Sequence, residues 1–338
     1  MNAVANANDT ILSKLSQEEF DKIMEEHDRY RLTKENVLKP VLGKRATFRG
    51  YDLSDINMEK RNLSDVDFSY SDISNLNFFK ANLHGADLSN AIADGANFSY
   101  ANLFAAKLQN VSAIGANFSH ANLSYADAPN ADFSRSDFSN SFAPYFHAVS
   151  ASFEQANLMN SKFHNCIFEH ATFENANAKF SELDESRMSN ADFSRANLAQ
   201  SSLYGSDFSK ANLSEATLHL ADCSYANLNR AKMTSAYLCG AIFRGNRMEQ
   251  PPLSIGPLSM QNDFITYNPQ DDSVSLDPEA HALPVSKEDA AQLPTSYNRK
   301  KYRPIVMKEA QKIARRDVML QATLHAVETY KKEKTHER

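Results

Sequence analysis

Ala81-Asn82-Leu83-His84-Gly85-Ala86-Asp87-Leu88 and Ala191-Asp192-Phe193-Ser194-Arg195-Ala196-Asn197-Leu198 repeat one phrase: a small residue, Asn or Asp, a large apolar residue, often Ser, then a variable fifth. Stepping by five from Phe48 to Met248 visits 41 positions, and all but seven are Leu, Ile, Met or Phe. The seven are six Ala and one Cys. Two residues earlier, the comb from Ala46 to Asn246 holds Ala, Ser or Cys at 33 positions. A fixed period is read before anything else, because it decides the architecture. Five matches neither the 3.6 period of a helix nor the 2.0 period of a strand, so an ordinary bundle or sheet could not keep one face dry over residues 46–249. A coil that turns a corner every five residues can. Four units then close a square of twenty residues, with the apolar centre of each unit inside. Stacked as parallel strands about 4.8 Å apart, the units predict about ten coils and a rod near 50 Å long.

Reading every twentieth residue gives the predicted core columns, among them Met58, Phe78, Phe98, Phe118, Phe138 and Leu158. Where a centre shrinks to Ala, the small position sometimes grows: Val111 precedes Ala113 and Phe146 precedes Ala148, as close packing requires. The residue before the centre gives Asn57, Asn77, Asn97, Asn117, Asp137, Asn157, Asn177 and Asn197 on one side. These side chains bond nearby backbone and tolerate unusual dihedrals, an expected means of turning a chain of 338 residues that has only 9 Gly.

This pattern resembles the pentapeptide-repeat family. The resemblance covers about residues 46–249 and implies a mainly β fold: a right-handed quadrilateral parallel β-helix, with an α-helical N-terminal cap and a C-terminal helix. The predicted organisation is a helical cap over 1–45, the β-helix over 46–249, a Pro-containing irregular connection over 250–300, and an amphipathic helix over 301–338. Ser16-Gln17-Glu18-Glu19 is a capping-box sequence, and Leu12, Leu15, Phe20, Ile23, Met24 and Tyr30 fit one helical face. Near the C-terminus Val306, Ile313, Leu320, Leu324 and Val327 form a stripe that would dock on the rod, dimerise or take a partner helix. The family's dimers associate through C-terminal coils and helix, so the resemblance implies a homodimer as one use of that stripe.

Catalysis needs convergent titratable groups in a cleft, and a filled square rod offers none. No catalytic residue, cofactor or metal site is expected; the histidines lack ligand spacing, and Cys166, Cys223 and Cys239 are too few for a disulfide framework. The formal net charge of -6, with 15 basic against 22 acidic residues over 46–249, is mild and makes nucleic acid an improbable partner. No apolar run is long enough to span a membrane, and Met1–Asn8 lacks a signal-peptide pattern. The expectation is a cytoplasmic protein, or one translocated from a bacterium into a host cell, without a cleavable signal peptide or a membrane partner.

Recognition surfaces remain. One corner of the square collects His84, Phe104, Tyr125, Tyr145, His164, Tyr204 and Tyr225, and the neighbouring Phe142-Ala143-Pro144-Tyr145-Phe146-His147 is the most degenerate stretch, an expected local kink. Phe104, Tyr125, Phe142, Tyr145, His147, Tyr204 and Tyr225 are the predicted partner-binding residues. The expected function is a non-enzymatic protein-interaction scaffold, with a bacterial secreted effector that binds a host protein as its finer form. The alternative implied by the resemblance is a DNA mimic that binds a type II topoisomerase (gyrase).

Overall fold

Five backbone N–H groups per repeat need partners, and around Phe98 all five are accounted for. Asn97 donates back to Leu76 O (2.8 Å), Phe98 forward to Asn117 O (2.7 Å), and Tyr100 forward to Ser119 O (3.0 Å). Ala101 N–H closes the turn on Phe98 O at 3.0 Å. Only Ser99 lacks a carbonyl, and Asn97 Oδ1 serves it at 3.1 Å. Hence the frequent Asn or Asp before a centre: its side chain satisfies the one donor that the coil geometry leaves over. The same bond recurs at Ser69–Asp67, Ser119–Asn117, Ser194–Asp192 and Ser209–Asp207.

The computed structural model describes residues 13–34, 42–238, 241, 265–268 and 273–276. Parallel bridges join residues twenty apart from Thr47↔Asp67 to Thr217↔Tyr237. Each coil has four walls. In the first coil these are residues 46–48, 51–53, 56–58 and 61–63, separated by two-residue corners. Nine full coils lie between Ala46 and Leu238, and the chain is the right-handed quadrilateral β-helix expected. Phe and Leu centres and the Ala or Ser two before them are buried from Ala46 to Met233, and the last centre, Leu238, is partly buried. Val111 with Ala113, and Phe146 with Ala148, are all buried, so the two inward positions share one volume.

The second corner residue, not the Asn or Asp, takes the unusual dihedral. From residue 60 to 235 this position has φ between 53° and 67° in every coil, and 32 of those residues are not glycine. That corrects the expectation from the sequence, which gave both tasks to one residue. Left-handed conformation is cheapest for Gly and next for Asn; Asn fills this position nine times. The expected kink at Phe142–His147 is also absent: Asn122↔Phe142↔Lys162 and Asp127↔His147↔Ile167 continue without a bulge.

Before the first coil, β1 (Ser13–Lys14) pairs in parallel with β2 (Tyr51–Asp52) on the second wall, and α1 (Gln17–Lys34) follows. Ser16 and Glu19 form the reciprocal capping box: Glu19 N–H donates to Ser16 Oγ at 3.3 Å and Ser16 N–H to Glu19 Oε2 at 3.0 Å. Phe20 of α1 stacks on Phe48 at 4.6 Å and so extends the core column by one ring. Gln17 accepts the open-edge N–H of Asn57, and Asp21 pairs with Arg61. His27, fully buried, accepts the N–H of Ala46 at Nδ1 (3.0 Å) and therefore carries its proton on Nε2, which donates to Ser64 O at 2.8 Å. An open sheet edge is thereby closed by a strand, two side-chain caps and an imidazole.

Within the stretch expected to be irregular, β3 (Ile265–Asn268) and β4 (Ser273–Leu276) pair antiparallel. Ile265 pairs with Leu276 and Tyr267 with Val274, residues whose branched or aromatic side chains favour strands. The stripe Val306, Ile313, Leu320, Leu324 and Val327, and Leu12 of the cap, lie outside the described residues.

Candidate protein-interaction wall

A corner residue projects outward and, at the left-handed position, carries a backbone cost of order 1 kcal/mol if it is bulky and not Gly or Asn. Tyr100, Tyr125, Tyr145, Phe180, Leu220 and Tyr225 all occupy that position, with φ between 56° and 61°. All are also solvent-exposed. Large apolar groups left half exposed at a position that strains the chain point to use by something outside the fold.

Their distribution is one-sided. Twelve large hydrophobic residues of the coils are exposed, and nine of them lie on the fourth wall or its two corners: Tyr100, Tyr125, Phe142, Tyr145, Met159, Phe180, Tyr204, Leu220 and Tyr225. Only Tyr70, Ile92 and Tyr237 lie elsewhere. The corner after the fourth wall carries a stack in which His84–Phe104, Phe104–Tyr125 and Tyr125–Tyr145 are 5.2, 5.4 and 4.9 Å apart. The corner before it carries Phe79–Tyr100 and Tyr100–His120 at 5.8 and 4.5 Å, with the Lys80 ammonium over both Phe79 (5.0 Å) and Tyr100 (5.8 Å). Between the two ridges run Asn62, Asn82, Asn102 and Asn122, joined Nδ2 to Oδ1 at 3.0–3.2 Å. Phe142 replaces the next Asn on that floor.

Of the residues predicted from sequence, the structure unites Phe104, Tyr125 and Tyr145 in one stack and places Phe142 beside them on the floor. Tyr204 and Tyr225 form a separate edge-to-face pair at 5.3 Å. The gap between the two groups holds His164. Its Nε2 lies 2.8 Å from Glu182 Oε2 and its Nδ1 3.4 Å from Asp184 Oδ2. Burial alone would lower the His164 pKa, but hydrogen bonds to Asp184 and then Glu182 outweigh it and raise the imidazole above its usual range. His147 does not belong to the site: it lies on the first wall, bonded to Asp127 Oδ1 at 2.6 Å. The turn at Pro144–Tyr145 carries the chain around a corner, so neighbours in sequence part in space. Phe79, Tyr100, His120, Met159, Phe180 and Leu220 escaped the sequence reading, although the same twenty-residue comb read one corner earlier would have found them.

Chemically the wall is apolar and hydrogen-bonding. Burial and the neighbouring Tyr145 raise the Tyr125 phenol pKa, and burial raises the thiols of Cys166 and Cys223, which point into the core. Among the described residues no group of three His, Cys, Asp or Glu side chains is placed to hold a metal ion, and no helix is long and apolar enough to cross a membrane. Acidic groups on the other walls are interleaved with bases: Glu174 pairs with Arg195, Glu169 with Arg187 at 2.5 Å, and Asp87 with Lys107 at 3.3 Å.

The repeated coil is matched by the family model of pentapeptide repeats, in 8 copies over residues 62–140 and 151–250. The chain belongs to that family. Among solved structures it is similar to HetL, a pentapeptide repeat protein involved in heterocyst differentiation regulation in the cyanobacterium Nostoc sp. strain PCC 7120. That likeness is at 24% identity over 69% of this chain and 97% of that one, with a TM-score of 0.48. It is also similar to QnrB1, a plasmid-mediated fluoroquinolone resistance protein, at 20% identity over 60% and 89% of the two chains (TM-score 0.38). A search of curated proteins gave no match.

Proposed function

We propose that this protein is a non-enzymatic scaffold that binds a protein partner across its fourth wall. One observation carries the reading: nine of the twelve exposed large hydrophobics of the coils share that wall and its corners. Aromatic enrichment on a rigid, preformed surface is the usual composition of a protein-binding patch. Changing Tyr100, Tyr125, Tyr145 and Tyr225 to Asn, a residue the corner already accommodates, tests it in a pull-down from native and host lysates; unchanged recovery of the partner rejects it.

The finer form of the reading is a bacterial effector delivered into another cell, which a translocation reporter fused to the full chain tests; homodimerisation through 301–338 is tested by light scattering. The alternative is DNA mimicry toward a type II topoisomerase. The acidic excess of 22 over 15 across the repeat favours it. The interleaved Arg187 and Arg195 weaken it, because a duplex mimic needs continuous negative charge. Gyrase supercoiling unaffected by stoichiometric protein is the outcome the scaffold reading requires.

A further inference from the structure

We propose that the ligand of the fourth wall is a proline-rich peptide segment in the polyproline II conformation. This rests on the reading of that wall as the interaction surface and names what it would take.

The floor of the wall is a ladder of carboxamides. Asn82 Oδ1 accepts the N–H of His84 (3.3 Å) and Nδ2 of Asn102 (3.0 Å). Asn102 Oδ1 accepts the N–H of Phe104 (3.3 Å) and Nδ2 of Asn122 (3.2 Å). Asn122 Oδ1 accepts both the N–H (3.1 Å) and the hydroxyl (2.6 Å) of Ser124. The backbone donors dictate which end of each carboxamide is oxygen, and two bonds fill an amide oxygen's lone pairs. Asn82 spends both N–H groups, on Asn62 Oδ1 (3.1 Å) and Ser64 Oγ (2.8 Å), but the other nitrogens keep capacity: Asn102 and Asn122 each spend one N–H on the coil before, and Asn62 Nδ2 spends none. From Asn62 to Asn122 the floor therefore offers spare donors and no open carboxamide oxygen, and Asp65 at its cap end is paired with Lys34. Tyr100 and Tyr125 add hydroxyls on the ridges, because stacked rings turn their edges outward.

A matching ligand brings acceptors without bringing donors. An α-helix has its carbonyls engaged internally, and a β-strand presents as many N–H as C=O groups. A proline-rich segment has no ring N–H and leaves its carbonyls unpaired in polyproline II. Its apolar rings pack into aromatic-lined grooves. The pitch also agrees: three residues at about 3.1 Å advance about 9.3 Å, and two coils at about 4.8 Å advance about 9.6 Å. Two coils is the step from Asn62 to Asn102. At the cap end of this floor, Arg31 and Lys34 of α1 wall a pocket of about 420 Å³ over Asn82 and Asn102, beside His84. That concavity gives the ligand a place to begin.

The test is fluorescence anisotropy of a labelled ten-residue proline peptide titrated with the full chain. Saturable binding is expected. It should weaken about tenfold in Asn102→Asp/Asn122→Asp, which keeps the turn-forming oxygens and deletes the donors, and about tenfold in Tyr100→Asn/Tyr125→Asn. Ile92→Ser on the opposite wall should leave it unchanged. No saturable binding, equal affinity for a Gly-Ser peptide of the same length, or affinity untouched by the tyrosine variant overturns the proposal; the tyrosine variant decides should the Asp variant fold poorly. If the proline peptide fails while the tyrosine variants still lose their protein partner, the wall's role stands and the ligand class falls.

Discussion

Two stacks of aromatic rings climb this molecule at the same pace, one inside and one outside. Phe78, Phe98, Phe118 and Phe138 follow each other at 4.8, 5.0 and 4.7 Å and are wholly buried. His84, Phe104, Tyr125 and Tyr145 follow at 5.2, 5.4 and 4.9 Å, and the two tyrosines are exposed to solvent. In both, the spacing is imposed by the parallel backbone ladder, about 4.8 Å per coil. Ring stacking is thus a consequence of the coil and says little about purpose. Burial separates the two: the inner stack is what the fold is made of, and the outer one rests on a coil that would close without it.

The sharpest way to break this contrast is to truncate one ring of each stack. Phe118→Ala should cost about 3–5 kcal/mol, because the cavity sits between rigid coils that cannot collapse into it. Urea denaturation measures it, and a cost under about 1 kcal/mol would mean that the inner stack is not the core described. Tyr125→Asn should cost no more than about 1 kcal/mol, since the two ring contacts it gives up are at the surface and it relieves a left-handed tyrosine. Its effect should appear instead as a loss of partner binding of about tenfold or more.

The contrast between inside and outside extends to two histidines with opposite pH behaviour. Burial is the main cause of the lowered His27 pKa, and its Nδ1 is occupied by the Ala46 N–H. The unfolded chain therefore takes up a proton before the folded one does, and stability should fall as pH drops below about 6.5. His164, raised by its carboxylates despite its burial, contributes stability that is complete below about 6.5 and fades as pH rises through its folded value. Thermal melts between pH 5 and 8 should show His27→Gln flattening the acid side and His164→Gln flattening the neutral side; the reverse assignment would contradict both placements. A smaller effect than that of Phe118→Ala is expected of Asn97→Ala. It removes the acceptor of Ser99 N–H and the 2.9 Å bond to Asn77, for a loss of about 1–2 kcal/mol by the same denaturation.

The inner stack was legible in the sequence because it is periodic. Every described Phe of the comb at five is where the count puts it, and the Val111/Ala113 and Phe146/Ala148 exchanges could be read as shared volume. The outer surface was legible only in part, since corner residues are chosen for contacts beyond the fold and follow no rule of their own. Phe104 and Tyr125 were found by reading one corner; the preceding corner was left unread, although Tyr100, His120, Phe180 and Leu220 share its second column and Phe79 and Met159 its first. His147 was misplaced because nearness in sequence was taken for nearness in space across a turn. His27 lies seven residues after Phe20 on the same helical stripe, yet a histidine among apolar residues gives no sign of binding two backbone groups. The division of labour in the turn, with Asn97 accepting and Tyr100 bearing the positive φ, needs the hydrogen-bond ladder to be seen.

The account stands most directly on one comparison of partner capture. The full chain with Tyr100, Tyr125, Tyr145 and Tyr225 changed to Asn is set against the full chain with Ile92 and Ile114 of the opposite side changed to Ser. Loss of the captured partner in the first, with retention in the second at equal folded content, is the predicted result. Retention in the first together with loss in the second would contradict it.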